Sequence, residues 1–426
     1  MKDMNFSKTY LPRVYDATLN KHLASSGAVL VKGCKWCGKT MTSSRASNSI
    51  LYMQDADKSA SYLALADTQA SLLLKGATPR LIDEWQMAPV LWDAVRFEVD
   101  QRQSVGQFIL TGSSVPKDGV TAHTGTGRIS QMLMRPMSLY ESNESNGTVS
   151  LKSLFEGNVD ISSISSLSVE DIAFAICRGG WPASVIMSKE DALDTSVNYI
   201  EAIINEDISR VDGIDKNPER VRLLLKSLAR NTATMATNKT IMDDMQTNDM
   251  SITPPTLDIY LNALRRIFVI EDQPAWSPAL RSRTAIRTSF KRHFVDPSIA
   301  TAVLGTNPVG ILKDFNTFGF LFESLCTRDL RIYSDANGGN VFHYHDKYDL
   351  EADIIVSLRD GKWAAIEVKL GHNQIEGAAR NLLKLKEKIN TDKMGEPSFL
   401  MVITGGEYAY KRSDGVLIVP IGCLKD

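Results

Sequence analysis

The chain has 426 residues, of which 43% are hydrophobic and 23% charged, and its 48 basic and 50 acidic residues leave a net charge of -2. This composition excludes a disordered or fibrous protein, and the balanced charge excludes a polycation that binds nucleic acid over its whole surface. The first residues show no signal-peptide pattern and no run of about 18 apolar residues occurs, so we expect a cytoplasmic protein with no membrane partner. At about 150 residues per domain, the length predicts about three domains.

Short apolar runs alternate with helical patterns over residues 1–150. The runs at 28–31, 50–53, 80–82 and 108–111 are rich in branched apolar residues and predict buried strands. This alternation is typical of an α/β fold in which helices cover a parallel sheet. We therefore expect the first domain to have that architecture.

A phosphate-binding motif follows the first predicted strand. The pattern G-x-x-x-x-G-K-[ST] is matched in full by Gly33, Cys34, Lys35, Trp36, Cys37, Gly38, Lys39 and Thr40. In such a loop the backbone N–H groups surround the phosphates, the lysine neutralises their charge, and the hydroxyl is a ligand for Mg²⁺. The motif predicts that the chain binds ATP with Mg²⁺.

Two carboxylates end the third predicted strand. Asp83 is in the position to hold the Mg²⁺ shell, and Glu84 is in the position to polarise the attacking water. A strand that ends in Asp-Glu is common by itself, but its place after a complete phosphate-binding motif favours ATP hydrolysis.

Two further residues are candidates for catalysis. Ser113 follows the strand predicted at 108–111, where its hydroxyl is placed either to position the water or simply to form a polar turn. Arg128 follows a glycine-rich turn and is either an arginine finger, in cis or for a neighbouring subunit, or an ordinary solvated arginine. The sequence leaves both pairs of alternatives open.

Two pairs of potential metal ligands have simpler interpretations. Cys34 and Cys37 form a C-x-x-C, but the pair lies inside the phosphate-binding loop and no second pair has zinc-finger spacing. His343 and His345 share a predicted strand face without a third ligand, so we expect them at the surface.

Residues 151–214 are expected to form a helical lid. A stretch rich in Ser, Asn and Gly covers residues 141–167 and so overlaps the start of this range. Helical patterns then run to residue 214. The turn Arg-Gly-Gly-Trp-Pro at 178–182 interrupts these patterns, because two glycines and a proline disfavour a continuous helix.

A winged-helix domain is expected over residues 215–300. Helical patterns lie at 218–230, 240–245 and 253–268, with the last pair close to helix-turn-helix spacing. The segment 281–292 then carries five cations and no acid, as a wing that meets DNA phosphates would. The alternatives are a solvated basic hairpin and a fold used only for protein packing.

Residues 301–426 predict a second α/β domain with a nuclease-like centre. Asp353 lies on one predicted strand, and Glu367 and Lys369 share a face of the next. This is the pattern of restriction-type nucleases, in which Asp353 and Glu367 bind metal ions and Lys369 orients water or stabilises charge. Glu323, on a predicted helix at 318–331, would add a carboxylate. The alternative is a retained fold that binds DNA or protein without cutting.

The chain resembles the AAA-superfamily ATPases of bacteria and archaea that carry a C-terminal domain of unknown function. The resemblance rests on the motifs GCKWCGKT, RLIDEWQ, FILTGSS, GTGRISQMLMRPMSLYE, RGGWP, SFKRHFVDPSIA and EADIIVSLRDGKWAAIEVKLG. It implies an AAA-type ATPase core joined to a winged helix and a restriction-endonuclease-like domain, and it allows a homo-oligomer, because AAA-type sites often lie between subunits.

Two functions remain at this point. In the first, ATP hydrolysis drives movement or remodelling on nucleic acid, with DNA as the expected partner. In the second, ATP binding only switches how the chain engages DNA or a protein. Glu84 favours turnover, since a pure switch needs no carboxylate to polarise water.

Overall fold

The computed structural model describes residues 10–114, 124–211, 213–246, 252–278, 289–389 and 394–426. The chain divides into two compact units. The first consists of Met1–Pro136, Asn205–Lys216 and Tyr260–Val269, and the second of Met137–Ile204, Asn217–Ile259 and Ile270–Asp426. The expected division into 1–150, 151–214, 215–300 and 301–426 is finer than this and stays a prediction.

The helices and strands of the described residues are numbered in chain order. The helices are α1 Val14–Leu23, α2 Lys39–Arg45, α3 Ser59–Gln69, α4 Val90–Arg102, α5 Leu151–Phe155, α6 Val169–Arg178, α7 Pro182–Val185, α8 Lys189–Ala202, α9 Ile208–Arg210, α10 Pro218–Arg230, α11 Asn238–Met245, α12 Pro254–Arg266, α13 Pro297–Leu304, α14 Pro308–Ile311, α15 Phe315–Ala336 and α16 Ile375–Lys388. The strands are β1 Ala28–Lys32, β2 Ser49–Tyr52, β3 Arg80–Asp83, β4 Phe108–Gly112, β5 Ile129–Leu133, β6 Val149–Ser150, β7 Ser162–Ile164, β8 Gly339–His345, β9 Glu351–Leu358, β10 Trp363–Lys369, β11 Leu400–Thr404, β12 Tyr408–Lys411, β13 Leu417–Pro420 and β14 Leu424–Lys425.

The first unit contains a parallel sheet in the order β2-β3-β4-β1-β5. Its strands begin and end within a residue or two of the predicted apolar runs, and β5 is an addition to them. Since both faces of such a sheet are covered, β1 and β4 are buried almost throughout. The predicted α/β class is confirmed.

The register of this sheet brings the carboxyl ends of three strands together. β1 and β4 pair with Val31 opposite Thr111, and β3 and β4 pair with Ile82 opposite Leu110. Parallel strands end at the same edge, so the residues after β1, β3 and β4 meet there. This edge holds the phosphate-binding motif.

The second unit contains a mixed sheet in the order β7-β12-β13-β11-β10-β9-β8. β10, β11 and β13 are parallel, and antiparallel strands extend the sheet on both sides. α16 packs on it because Ile375, Leu382 and Leu385 recur at helical spacing and form one apolar face. The predicted strands of this region are confirmed, and β7 and β12 were not foreseen.

Three helices and two antiparallel segments follow α9 in sequence. α10 begins at Pro218, where the side chain of Asn217 accepts hydrogen bonds from two backbone N–H groups, and α11 and α12 follow. Backbone bridges then join Ile270 to Phe294 and Gln273 to Lys291 in antiparallel fashion. We call residues 270–276 and 289–294 the paired segments.

The second paired segment also bonds to the chain between α10 and α11. The N–H of Ala233 donates to the carbonyl of Arg292 at 2.7 Å, and the N–H of Arg292 donates to the carbonyl of Thr234 at 2.8 Å. In the first paired segment, the N–H of Trp276 donates to the carbonyl of His343 in β8 at 2.7 Å. The paired segments are therefore bonded to the mixed sheet.

The turn at 178–182 packs against the segment before α13. The N–H of Gly180 donates to Asp296 Oδ2 at 3.0 Å, and Trp181 Nε1 donates to Ser298 Oγ at 3.0 Å. A Cβ on Gly180 would lie 2.1 Å from the carbonyl oxygen of Met137, so only glycine fits. Two motifs far apart in sequence thus form one buried contact.

Among the described residues, no helix combines the length and the apolar character needed to cross a lipid bilayer.

Candidate functional site

The phosphate-binding loop runs from the end of β1 to the start of α2. Gly38 has φ of 100°, a conformation that favours glycine, and a Cβ on Gly33 would lie 2.1 Å from the carbonyl oxygen of Met134. Both glycines of the motif are therefore required by the backbone. Lys39 is buried, and its Nζ donates to the carbonyl of Cys34 at 2.7 Å.

A hydroxyl and a carboxylate meet beside this loop. Thr40 Oγ1 donates to Asp83 Oδ1 at 2.8 Å, and Thr111 Oγ1 donates to the same oxygen at 2.6 Å. Mg²⁺ in phosphate sites takes one or two protein oxygens and keeps its remaining ligands as water and phosphate. The pair Thr40 and Asp83 fits that requirement.

Glu84 follows Asp83 in a left-handed backbone conformation, with φ of 58°. Its Oε2 accepts hydrogen bonds from Ser113 Oγ at 3.0 Å and from Gln86 Nε2, while its N–H donates to Thr111 Oγ1 at 3.2 Å. The structure thus brings Ser113 to Glu84, as the water-positioning alternative requires. Thr111 and Gln86 were missed, although both lie within three residues of predicted site residues.

Two side chains outside the motif brace the loop. Arg13 is buried and donates to the carbonyls of Cys37 and Arg135, each at 2.8 Å. Lys35 Nζ lies 2.5 Å from Asp207 Oδ1. No sequence pattern marks Arg13 or Asp207, because their partners are distant in the chain.

The loop cysteines are both buried free thiols. Burial raises the pKa of Cys37, but the Cys34 thiol and the charges of Lys39 and Arg13 outweigh burial and lower this pKa to about 6. Trp36 is exposed. No group of three or more His, Cys, Asp or Glu side chains in the described ranges is arranged to hold a metal ion.

Arg128 does not reach the phosphate-binding loop of its own chain. It precedes β5, and Ala28 at the start of β1 lies opposite Ile129. Arg128 is therefore at the amino edge of the sheet, and the loop is at the carboxyl edge. Its Nε donates to Asp100 Oδ1 at 2.8 Å. This geometry contradicts the alternative of an arginine finger in cis, whereas a finger for a neighbouring subunit and an ordinary solvated arginine stay open.

The second unit brings the nuclease-like residues together. Lys369 Nζ lies 3.1 Å from Asp353 Oδ2 and 2.8 Å from Glu367 Oε2, and the N–H of Val368 donates to Asp353 Oδ2 at 2.9 Å. Asn381 Nδ2 donates to the other oxygen of Glu367 at 2.7 Å. Asp353 and Glu367 are both buried.

Lys291 reaches the same carboxylates from the paired segments. Its Nζ lies 2.5 Å from Glu323 Oε1 and 3.4 Å from Asp353 Oδ1. Lys291 is buried, and so is Arg292, which pairs with Asp272 at 3.1 Å. The expectation that these two cations meet DNA phosphates is wrong, because both are neutralised inside the fold. The other cations of the basic segment, Arg281, Arg283 and Arg287, lie outside the described residues.

Burial and neighbouring charges shift the pKa of several side chains in this cluster. Burial lowers the pKa of Lys291, but Glu323 and Asp353 outweigh burial and hold this pKa above the usual lysine range. Burial raises the pKa of Glu367 to about 8, with a further contribution from Asp353. Burial likewise raises the pKa of Glu323 to about 7, against the effect of Lys291.

His343 is buried rather than at the surface, and its Nε2 lies 3.0 Å from the carbonyl oxygen of Ser289. The register between β8 and β9 shifts between Phe342 and Tyr344, so the simple alternation that predicted its exposure does not hold there.

Comparisons with known proteins agree with the first of these two sites. Residues 25–143 match the family model described as "AAA domain". This segment of the chain is therefore similar to an AAA domain. Residues 169–309 and 318–424 match two models described as "Domain of unknown function" (DUF8612 and DUF4143). No curated protein matches the chain.

Two solved structures from archaea are similar to the chain. The Walker-type ATPase paby2304 of Pyrococcus abyssi is 15% identical over 69% of this chain and 96% of its own, with a TM-score of 0.43. The signal transduction ATPase PH0952 of Pyrococcus horikoshii, a STAND protein with a tetratricopeptide repeat sensor, is 13% identical over 77% of this chain and 50% of its own, with a TM-score of 0.28.

Proposed function

We propose that the chain binds MgATP at residues 33–40, hydrolyses it with Glu84, and uses this reaction to act on nucleic acid, with DNA as the partner. The observation that carries the first part is the junction of loop and strand ends, where Thr40 donates to Asp83 at 2.8 Å and Glu84 follows directly. A phosphate-binding loop, a metal-binding pair and a separate base are the parts that ATP hydrolysis requires.

Each residue has a distinct task in this proposal. Lys39 exchanges its hydrogen bond with the Cys34 carbonyl for the β and γ phosphates. Thr40 and Asp83 hold Mg²⁺, which when bound neutralises charge on the phosphate oxygens. Glu84 orients the attacking water and accepts its proton, while Ser113, at 3.0 Å from the carboxylate, fixes the position of that base.

The nucleic-acid part rests on the region after α9. Helices α10, α11 and α12 precede two segments joined by antiparallel bridges, and this order along the chain supports a winged helix. The basic residues Arg283 and Arg287 lie between the two paired segments in sequence, where a wing is found. This arrangement supports a local DNA-binding surface on a chain of balanced overall charge.

The alternative is a nucleotide-dependent switch, and one contact favours it. Lys35 of the phosphate-binding loop pairs with Asp207, just before α9, at 2.5 Å. A phosphate that attracted Lys35 would weaken this pair and so link the nucleotide to the segment 205–216. A homo-oligomer is also proposed, in which Arg128 would act only on the nucleotide of a neighbouring subunit.

ATPase assays with purified variants test the proposal. Lys39→Ala is expected to abolish ATP binding, and Glu84→Gln to retain ATP binding while turnover stops, because the amide cannot accept the proton. Lys75→Ala, at an exposed position, is the matched control and should behave as wild type. Wild-type turnover in Glu84→Gln would show that Glu84 is not the base.

The partner is tested by measuring the turnover of the wild-type chain with duplex, single-stranded and branched DNA and with RNA. Stimulation by DNA supports the proposed action on nucleic acid. Unchanged turnover together with ATP-dependent DNA binding would favour the switch, and no binding to any nucleic acid would contradict the proposed partner.

A further inference from the structure

The carboxylates of the nuclease-like centre already have a cation between two of them. Lys291 Nζ lies 2.5 Å from Glu323 Oε1 and 3.4 Å from Asp353 Oδ1. A metal ion that bridged these oxygens would lie about 2.1 Å from each, and it could not share that space with the ammonium group. The ammonium group of Lys291 therefore occupies the space between Glu323 and Asp353 in which a bridging metal ion would lie.

The remaining oxygens are engaged as well. Asp353 Oδ2 accepts from Lys369 and from the N–H of Val368, and the two oxygens of Glu367 accept from Asn381 and Lys369. Two ammonium groups thus lie among three carboxyl groups. Because the two lysines already neutralise negative charge in this cluster, a divalent cation would have to displace their contacts rather than fill an open site.

Lys291 is held in place by the backbone that carries it. It exchanges two backbone hydrogen bonds with Gln273, at 2.8 and 3.0 Å, and Gln273 Nε2 donates to the carbonyls of Phe342 and Asp353. Trp276 stacks on Trp363 in the core of the mixed sheet, with ring centroids 5.0 Å apart. These buried contacts fix the backbone at Lys291, and from there its side chain reaches Glu323 and Asp353.

We propose that the ammonium group of Lys291 replaces a divalent cation among Glu323, Asp353 and Glu367, so that the C-terminal domain folds without metal and does not cleave nucleic acid. The inference goes beyond the proposed ATPase function and does not depend on it. It also makes a positive claim, because removing the ammonium group should expose a metal site that the wild-type chain lacks.

Manganese binding and thermal unfolding of the full chain, both without nucleotide, test this proposal. Wild type should have no Mn²⁺ site that depends on Asp353, and its Tm should be the same in EDTA and in Mn²⁺. Lys291→Met keeps the length of the side chain but removes its charge. It should lower the Tm of the second unit in EDTA by roughly 5–10 °C, and it should gain one Mn²⁺ site that restores stability.

Two further variants serve as controls. Lys291→Met with Asp353→Asn should lose the new Mn²⁺ site, and Lys313→Met, at an exposed position of the same unit, should match wild type. Wild-type Mn²⁺ binding that disappears in Asp353→Asn would overturn the proposal. So would a Lys291→Met chain that is fully stable in EDTA and binds no Mn²⁺. If Lys291→Met does not fold in either condition, the wild-type titration decides alone.

Discussion

The buried contact between Asp296 and Arg328 supports a quantitative prediction for Asp296→Asn. Asp296 is fully buried and accepts three hydrogen bonds, from Arg328 Nη1 at 2.8 Å, Ser298 N at 2.9 Å and Gly180 N at 3.0 Å. Asparagine keeps one oxygen, which can still cap α13 through Ser298. Its NH₂ group replaces the oxygen that faces the other two donors, and the charge that balances Arg328 is lost.

The expected loss of stability follows from these contacts. Breaking a buried ion pair costs about 3–5 kcal/mol, and the lower end applies because Asp329 still pairs with Arg328 at 2.7 Å. The unpaired N–H of Gly180 adds about 1 kcal/mol, so we expect the second unit to lose about 4 kcal/mol. At an m-value of about 2.5 kcal/mol per molar urea, its unfolding midpoint should fall by about 1.5 M.

Urea unfolding followed by the fluorescence of buried Trp181 and Trp363 measures this change. ATP binding at low urea should be unaffected, because the variant leaves the phosphate-binding loop unchanged. Asp194→Asn, at an exposed position on α8, is the control and should match wild type. A midpoint for Asp296→Asn within 0.3 M of wild type, or about 0.8 kcal/mol at this m-value, would refute the view that this contact is essential to the unit.

Two other predictions concern charge. Replacing Arg283 and Arg287 by Glu should weaken DNA binding. It should also reduce the slope of the logarithm of the binding constant against the logarithm of the salt concentration by about 0.9 per lost phosphate contact. An unchanged slope in salt titrations would exclude contact by these side chains. Burial and the charge of Lys291 lower the pKa of His343 from 6.5 to about 4, so the folded state binds fewer protons than the unfolded state between these values. Stability should therefore be complete above pH 6.5 and fall by up to ~3 kcal/mol as the pH falls through 4, and His343→Gln should remove this part of the pH dependence of urea unfolding.

The ATP site could be predicted from the sequence because its determinants are local. The loop from Gly33 to Thr40 is contiguous, and Asp83 and Glu84 directly end a strand whose apolar residues mark it as buried. The register of the parallel sheet then brings these segments together without further information. Only the hydrogen-bond partners of Glu84 could not be predicted from the sequence, since a serine after a strand is equally typical of a turn.

The C-terminal centre could be predicted only in part. The spacing of Asp353, Glu367 and Lys369 indicated a shared site, and the structure brings them together. Lys291 was misread because it belongs to a run of cations, which normally indicates a solvated surface. Its carboxylate partners are 32 and 62 residues away, so no local pattern could pair them.

The two lysines at the centre of the two sites explain why the sites differ. Both Lys39 and Lys291 are buried, but the hydrogen bond of Lys39 goes to a neutral carbonyl, whereas Lys291 lies between two carboxylates. A buried cation next to a neutral acceptor still attracts an anion, so phosphate can replace the Cys34 carbonyl at low cost. A cation between two carboxylates is already neutralised, so it attracts phosphate only weakly, and under our proposal its carboxylate partners bind no metal ion. The partner of each lysine, more than the lysine itself, therefore decides which site is open to a ligand.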